Sequence, residues 1–272
     1  MPPEERECMA FLVDVAETLT EWNERLCLIG GWAVYVLTEV FQTGQVYPAL
    51  RHRGSRDVDL SLSFPLIGET EANRVAVRLE SAGYQCQESF RWIRGMPSGQ
   101  KYDLDLMMVP PAEHADGTVQ IGRLQFAPFW YGDAALQDTS RVILRITEAD
   151  GAHREAQARV AGAAGLLYAK AQVVACAHDQ PRRVRQKHFY DIFALTRTYP
   201  GGADGLAERL RRSLSVQELY DLETMLQVGF GPGGDGPVMA AEILSSGRAA
   251  FADYVPAVEA AMAPLLDLLG KK

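Results

Sequence analysis

The stretch Arg53-Gly54-Ser55-Arg56-Asp57-Val58-Asp59-Leu60 and its later echo Tyr102-Asp103-Leu104-Asp105-Leu106 decide how this chain is read. Residues two apart on a strand project to the same face. Asp57 and Asp59 are therefore expected to converge while Val58, Leu60 and Leu62 turn to a core. The second stretch repeats the pattern, with Asp103 and Asp105 on one face and Leu104, Leu106 and Met108 on the other. Adjacent carboxylates repel one another and lose hydration, so the arrangement is costly unless a cation sits between them. Mg²⁺ suits such a place because it takes oxygen ligands and is commonly held by one or two carboxylates plus substrate phosphates. The competing account is that these aspartates are solvated residues on half-buried strands. Aspartate is depleted from strand interiors, and four in two short strands favours the metal site.

Working outward, the apolar run Leu26-Cys27-Leu28-Ile29 reads as a short strand entering Gly30-Gly31, with a helix expected from Trp32 to Leu37. A strand, a glycine turn and a helix N-terminus together make an anion site, since backbone can approach a phosphate and unpaired N–H groups point at it. The turn matches neither Gly-x-Gly-x-x-Gly nor the Gly-x-x-x-x-Gly-Lys phosphate loop, so its weight comes from the acidic strand that follows. Residues 42–55 read as an irregular connection carrying Arg51-His52-Arg53. Helical periodicity is expected over about 4–22 and over 69–82, where Ala72, Val75, Ala76 and Leu79 share a face that ends at Gly83. A hairpin is expected from Glu88 to Val109 around Gly95–Gly99, and further short strands over 119–147.

After about residue 160 the pattern turns helical. Ala163–Ala177 carries Leu166, Leu167, Lys170 and Val174. A basic loop, Pro181 to Arg185, then leads to a helix from Lys187 to Leu195. The remaining tail reads as helices joined by glycine-rich connectors at 201–205 and 229–236, and no internal repeat is present. The expected fold class is α+β: a mixed sheet with flanking helices over 1–155, followed by a mainly helical domain over 156–272. A ligand cleft is expected between the two.

Composition narrows the class. The 272 residues are 47% apolar and 23% charged, as in ordinary globular proteins. No apolar run has the length of a membrane span, and the acidic start is opposite in charge to a secretory signal, so no membrane partner and a cytoplasmic location are expected. The four cysteines are scattered, which suits incidental thiols in a reducing compartment. The five histidines show no metal-ligand spacing. A net charge of −8 argues against a surface coated for non-specific nucleic-acid binding, but not against a local basic site.

With the glycine turn and acidic strands in place, the chain resembles the DNA polymerase beta-like nucleotidyltransferase superfamily. Its pattern is a Gly-Gly or Gly-Ser turn opening a helix, an Asp-x-Asp strand, and a third carboxylate on a later strand. These would be Gly30-Gly31, Asp57-x-Asp59 and Asp105, with Asp103 the competing choice for the third. Arg53-x-Ser55-x-Asp57-Val58-Asp59 looks like the minimal-nucleotidyltransferase branch. Leu166 to Lys170, followed by Lys187-His188-Phe189-Tyr190-Asp191, is similar to the AbiEii-type toxin family, which carries a helical Lys and then a Lys/Arg-Asp-x-x-Asp element. Here His188 replaces the first acid of that element.

The resemblance covers about residues 26 to 195. It implies an Mg²⁺-dependent enzyme, with Mn²⁺ as a substitute, that binds an NTP and moves NMP to a hydroxyl. Asp57, Asp59 and Asp105 would be catalytic metal ligands. Gly30, Gly31, Arg53, Ser55, Lys170, Lys187 and Asp191 would line the nucleotide site. For Lys170 the competing account is a snorkelling helix residue, and for Lys187 and Asp191 a surface ion pair at i,i+4. The acceptor would be macromolecular, tRNA or protein, and a cognate antitoxin protein is an implied partner. Two alternatives stand beside it: an enzyme that nucleotidylates a small molecule of the aminoglycoside type, and a degenerate nucleotide-binding module acting through a partner protein.

Overall fold

The computed structural model describes residues 3–41, 57–62, 67–111, 117–130, 132–148, 151–176, 180–245 and 251–270, with side chains except at 3–5, 40, 57–62 and 251. The fold is mixed α/β and divides into two compact units. One comprises Met1–Ala33 and Arg53–Ala161; the other comprises Val34–His52 and Gly162–Lys272. No described helix is long and apolar enough to cross a membrane.

The first unit runs α1 (Pro3–Thr18), a 3₁₀ turn at Thr20–Trp22, β1 (Leu26–Ile29) and α2 (Gly30–Phe41), within which the division falls. Then come β2 (Asp57–Leu62), α3 (Glu69–Ser81), β3 (Gln85–Glu88), β4 (Arg91–Gly95), β5 (Lys101–Met108), β6 (Val119–Ile121), β7 (Leu124–Pro128), α4 (Gly132–Gln137), β8 (Thr139–Thr147) and β9 (His153–Ala161). The strand order is β3-β4-β5-β2-β1-β9-β8. β2 pairs antiparallel with β1 and parallel with β5, and β9 returns parallel to β1. The other edge of β5 is shared: β4 pairs with 101–105 and β7 with Met107 and Met108.

Alternation decides which face of β5 is core. Tyr102, Leu104, Leu106 and Met108 are all buried. Tyr102 packs its ring 5.3 Å from Phe11 of α1. α1 is also tied to the sheet by charge, since Asp14 accepts a hydrogen bond from Tyr84 Oη at 2.8 Å and pairs with Arg94 and Arg154. α3 buries Ala72, Val75, Ala76 and Leu79, the face expected from its periodicity. It stops where Gly83 takes a left-handed φ of 86°, with Tyr84 N–H donating back to the Leu79 carbonyl.

Two local expectations are corrected here, and two elements are added. The helix after the glycine turn begins at Gly30 itself and not at Trp32. The expected first hairpin strand is two strands, because the chain turns at Ser89, whose φ is 44°. α4 and β9 went unread, and β9 carries the sheet past residue 155 to Ala161. Ala and Glu are depleted from strands, so β9 has little intrinsic signal and owes its form to pairing along all nine residues of β8. The irregular connection expected at 42–55 lies outside the described residues.

The second unit holds α5 (Ala163–Cys176), α6 (Arg182–Thr198), α7 (Gly202–Ser213), α8 (Val216–Phe230), α9 (Gly236–Leu244) and α10 (Val255–Leu269), the last preceded by a 3₁₀ turn at Phe251–Tyr254. α5 is apolar around most of its circumference because α6, α7 and α8 all pack on it. α8 opens on a capping box, in which the Ser215 hydroxyl accepts from Glu218 N–H and the Glu218 carboxylate accepts from Ser215 N–H. The stretch 229–236 is more than a connector. A Cβ on Gly229 would stand 2.9 Å from the Phe189 ring, and one on Gly236 2.8 Å from it. These glycines let Phe189 sit edge-on to Phe230 at 5.3 Å.

Candidate functional site

The acidic strands are neighbours. β2 and β5 run parallel with Asp57 paired to Asp103 and Asp59 to Asp105. Residues paired across parallel strands share a face, so the four aspartate positions form a two-by-two patch on the face opposite Leu104 and Leu106. On the far side of β2, Asp59 is paired with Ile29, the last residue of β1. The chain then leaves the sheet at Gly30, whose φ of 69° is open to glycine at little cost. The start of α2 thus stands at the end of β1 beside the acidic row, with its first N–H groups outside the helical ladder. Arg53 and Ser55 lie outside the described residues.

On the other side, the β4–β5 register pairs Arg91 with Asp105. Arg91 forks onto that carboxylate, Nε donating to Oδ1 at 2.7 Å and Nη2 to Oδ2 at 2.6 Å. Its Nη1 stands 3.5 Å from Asp103 Oδ2. The Asp105 side chain is 11% exposed, Asp103 27% and Arg91 38%, so exposure rises from the inner carboxylate outward. Arg91 was absent from the sequence reading, although its signal was there. Once Gly95 and Lys101 flank the turn, counting back along both strands sets Arg91 against Asp105.

Among the residues whose side chains are described, no three His, Cys, Asp or Glu converge as metal ligands. Asp57 and Asp59 fall outside that set. Of the four positions, Asp103 and Asp105 have described side chains, and both offer carboxylate oxygens, the donor type that a hard divalent cation takes.

In the helical unit, Lys170 and Asp191 are brought together. Lys170 Nζ of α5 lies 2.6 Å from Asp191 Oδ2 of α6, with the two side chains 8% and 0% exposed. Asp191 is fully buried, so it is not the surface residue that the i,i+4 account of Lys187 and Asp191 expected. Lys170 is likewise no snorkelling residue, since its ammonium is inside. His188, one turn from Asp191, is pushed down from the usual 6.5 to about 3, first by burial and then by the Lys170 ammonium. Its Nδ1 has no hydrogen-bond partner among the described residues.

The basic segment is not a loop: Arg182 to Arg185 form the first turn of α6, with Pro181 at its N-cap. Arg182 pairs with Glu242 of α9 at 2.8 Å, and Arg185 stands 3.8 Å from Asp235 at the start of that helix.

Against known proteins, the chain matches no protein-family model, and no curated protein matches it significantly.

Proposed function

We propose that this chain is a metal-dependent nucleotidyltransferase with a DNA polymerase beta-like first unit, moving NMP from an NTP to a hydroxyl of a macromolecule, tRNA or protein, in the manner of a toxin enzyme. The observation that carries the reading is the β2–β5 register, which sets Asp59 against Asp105 and Asp57 against Asp103 beside the Gly30 turn. Asp57, Asp59 and Asp105 are the residues fit to hold Mg²⁺ or Mn²⁺. Held there, the ion supplies charge stabilisation at phosphate oxygens and a lowered pKa for the attacking hydroxyl. Gly30 and Gly31 offer backbone N–H groups to the triphosphate. Asp105, the better buried of the β5 pair, is held in one orientation by its fork with Arg91. Lys170 carries no phosphate role in this proposal, because its charge is taken up by Asp191.

A small-molecule acceptor is the second reading. It is favoured by the ion pairs that commit Arg182 and Arg185 to Glu242 and Asp235, in a chain whose net charge is −8. The deciding experiment offers each α-labelled NTP with Mg²⁺ to total tRNA, cell protein and an aminoglycoside panel. Label on tRNA or protein supports the first reading, and label on an aminoglycoside the second. Transfer to none of them, with a chain that binds no NTP in the presence of Mg²⁺, sinks both.

A further inference from the structure

Asp103 and Asp105 share one guanidinium, and its placement has a consequence for metal binding. Both Asp105 oxygens already accept charge-assisted hydrogen bonds from Arg91, at 2.7 and 2.6 Å. Each of those oxygens keeps a further lone pair for a divalent ion, but the ion and the guanidinium repel across one carboxylate. That repulsion loosens whichever cation is held less firmly. Asp105 sits on an interior strand with its side chain 11% exposed and is fixed by the sheet on both sides. Arg91 is 38% exposed, on a strand between the β3 edge and β5, with a long side chain that reaches water. The mobile member of the pair is the arginine.

Resting on the metal-site reading above, we propose that Arg91 is a built-in counter-cation of this carboxylate cluster. It offsets part of the charge of Asp105 and Asp103 while no metal is bound, and it gives up Asp105 when a divalent ion arrives. Its role is positioning. A fork that engages both oxygens keeps the carboxylate in one orientation, which a lysine point charge does not do. The same contact opposes the metal, so Arg91 sets the concentration at which the site fills. The cluster thereby avoids the cost of several unpaired carboxylates on adjoining strands without being closed to a stronger cation.

The test titrates Mg²⁺ alone, by calorimetry, into the full chain and into Arg91→Ala and Arg91→Lys. Arg91→Ala is expected to bind Mg²⁺ about tenfold more tightly than wild type, the scale of one lost charge-assisted contact, with Arg91→Lys between them. A second readout follows the Arg91 Nε–H resonance of the wild-type protein, assigned by its loss in Arg91→Lys. It should be protected from exchange without metal and lose that protection as Mg²⁺ is added, which keeps the proposal open to refutation even if Arg91→Ala fails to fold. Equal or weaker Mg²⁺ binding in folded Arg91 variants, or an Nε–H signal indifferent to Mg²⁺, overturns the counter-cation role and leaves the metal site standing. No Mg²⁺ binding by wild type or any variant overturns both.

Discussion

Asp105 with Arg91 in the sheet unit and Asp191 with Lys170 in the helical unit are each held at a closest approach of 2.6 Å, in opposite surroundings. The first pair stands on β5 in register with Asp59 and close to Asp103, with the arginine partly in water. The second joins α5 to α6 with both side chains buried and the neighbouring histidine held neutral. A partly exposed carboxylate is within reach of an external cation. A pair closed inside a helix bundle is out of reach of one, and its physical work is to fix how two helices meet. Contact distance alone does not separate a site from a strut; exposure does.

The largest expected effect separates the two regions by activity. Asp105→Asn removes one negative oxygen from the proposed metal set and should lower nucleotidyl transfer roughly a thousandfold, the scale of lost metal-centred charge stabilisation. Asp103→Asn, at the more exposed end, should retain much of the activity. Single-turnover assays with labelled NTP read both. The reverse ranking would make Asp103 the third carboxylate, and no loss in either would remove the sheet patch from the chemistry.

Next comes stability in the helical unit. Lys170→Met or Asp191→Leu alone takes away one side of a buried ion pair and should cost about 3 kcal/mol or more in urea unfolding, while the double substitution should recover most of the loss. Mg²⁺ affinity should be unchanged in the double variant. A Mg²⁺ or NTP affinity that falls in the folded double variant would break the comparison, since the pair would then serve the ligand.

The smallest effect concerns His188. Its pKa is depressed in the folded protein from 6.5 to about 3, so the unfolded chain binds the extra proton between those values. Stability from this group is therefore fully present above pH 6.5 and falls as pH drops toward 3. His188→Gln should flatten the stability profile between pH 6.5 and 4 and leave it unchanged at pH 8. An unaltered acid limb would mean that the imidazole is solvated in the native state.

Much of the sheet unit was legible because its signals are local and periodic. The alternation in Lys101–Met108 and the helical stripe of Ala72, Val75, Ala76 and Leu79 each follow from one element's own geometry. β9 and the Ser89 turn were not legible, since one depends on a partner strand and the other on a single left-handed residue. The same distinction runs through the site. Aspartate spacing within each strand was visible in the sequence, whereas Arg91 emerges only when the hairpin register is counted.

By itself, then, the sequence determined that two strands carry paired aspartates on one face, that a glycine turn opens a helix ahead of them, and that residues beyond about 160 are helical. Side-chain period is a property of the single strand or helix, so it is written in the chain. Only the tertiary structure decided that β2 and β5 adjoin in parallel with their aspartates in register, that Arg91 caps Asp105, and that Lys170 and Asp191 neutralise each other inside the bundle. Each of those facts is a pairing between distant segments. Which charge meets which is fixed by strand order and helix packing, and these are set by burial of whole faces, not by the charged residues themselves.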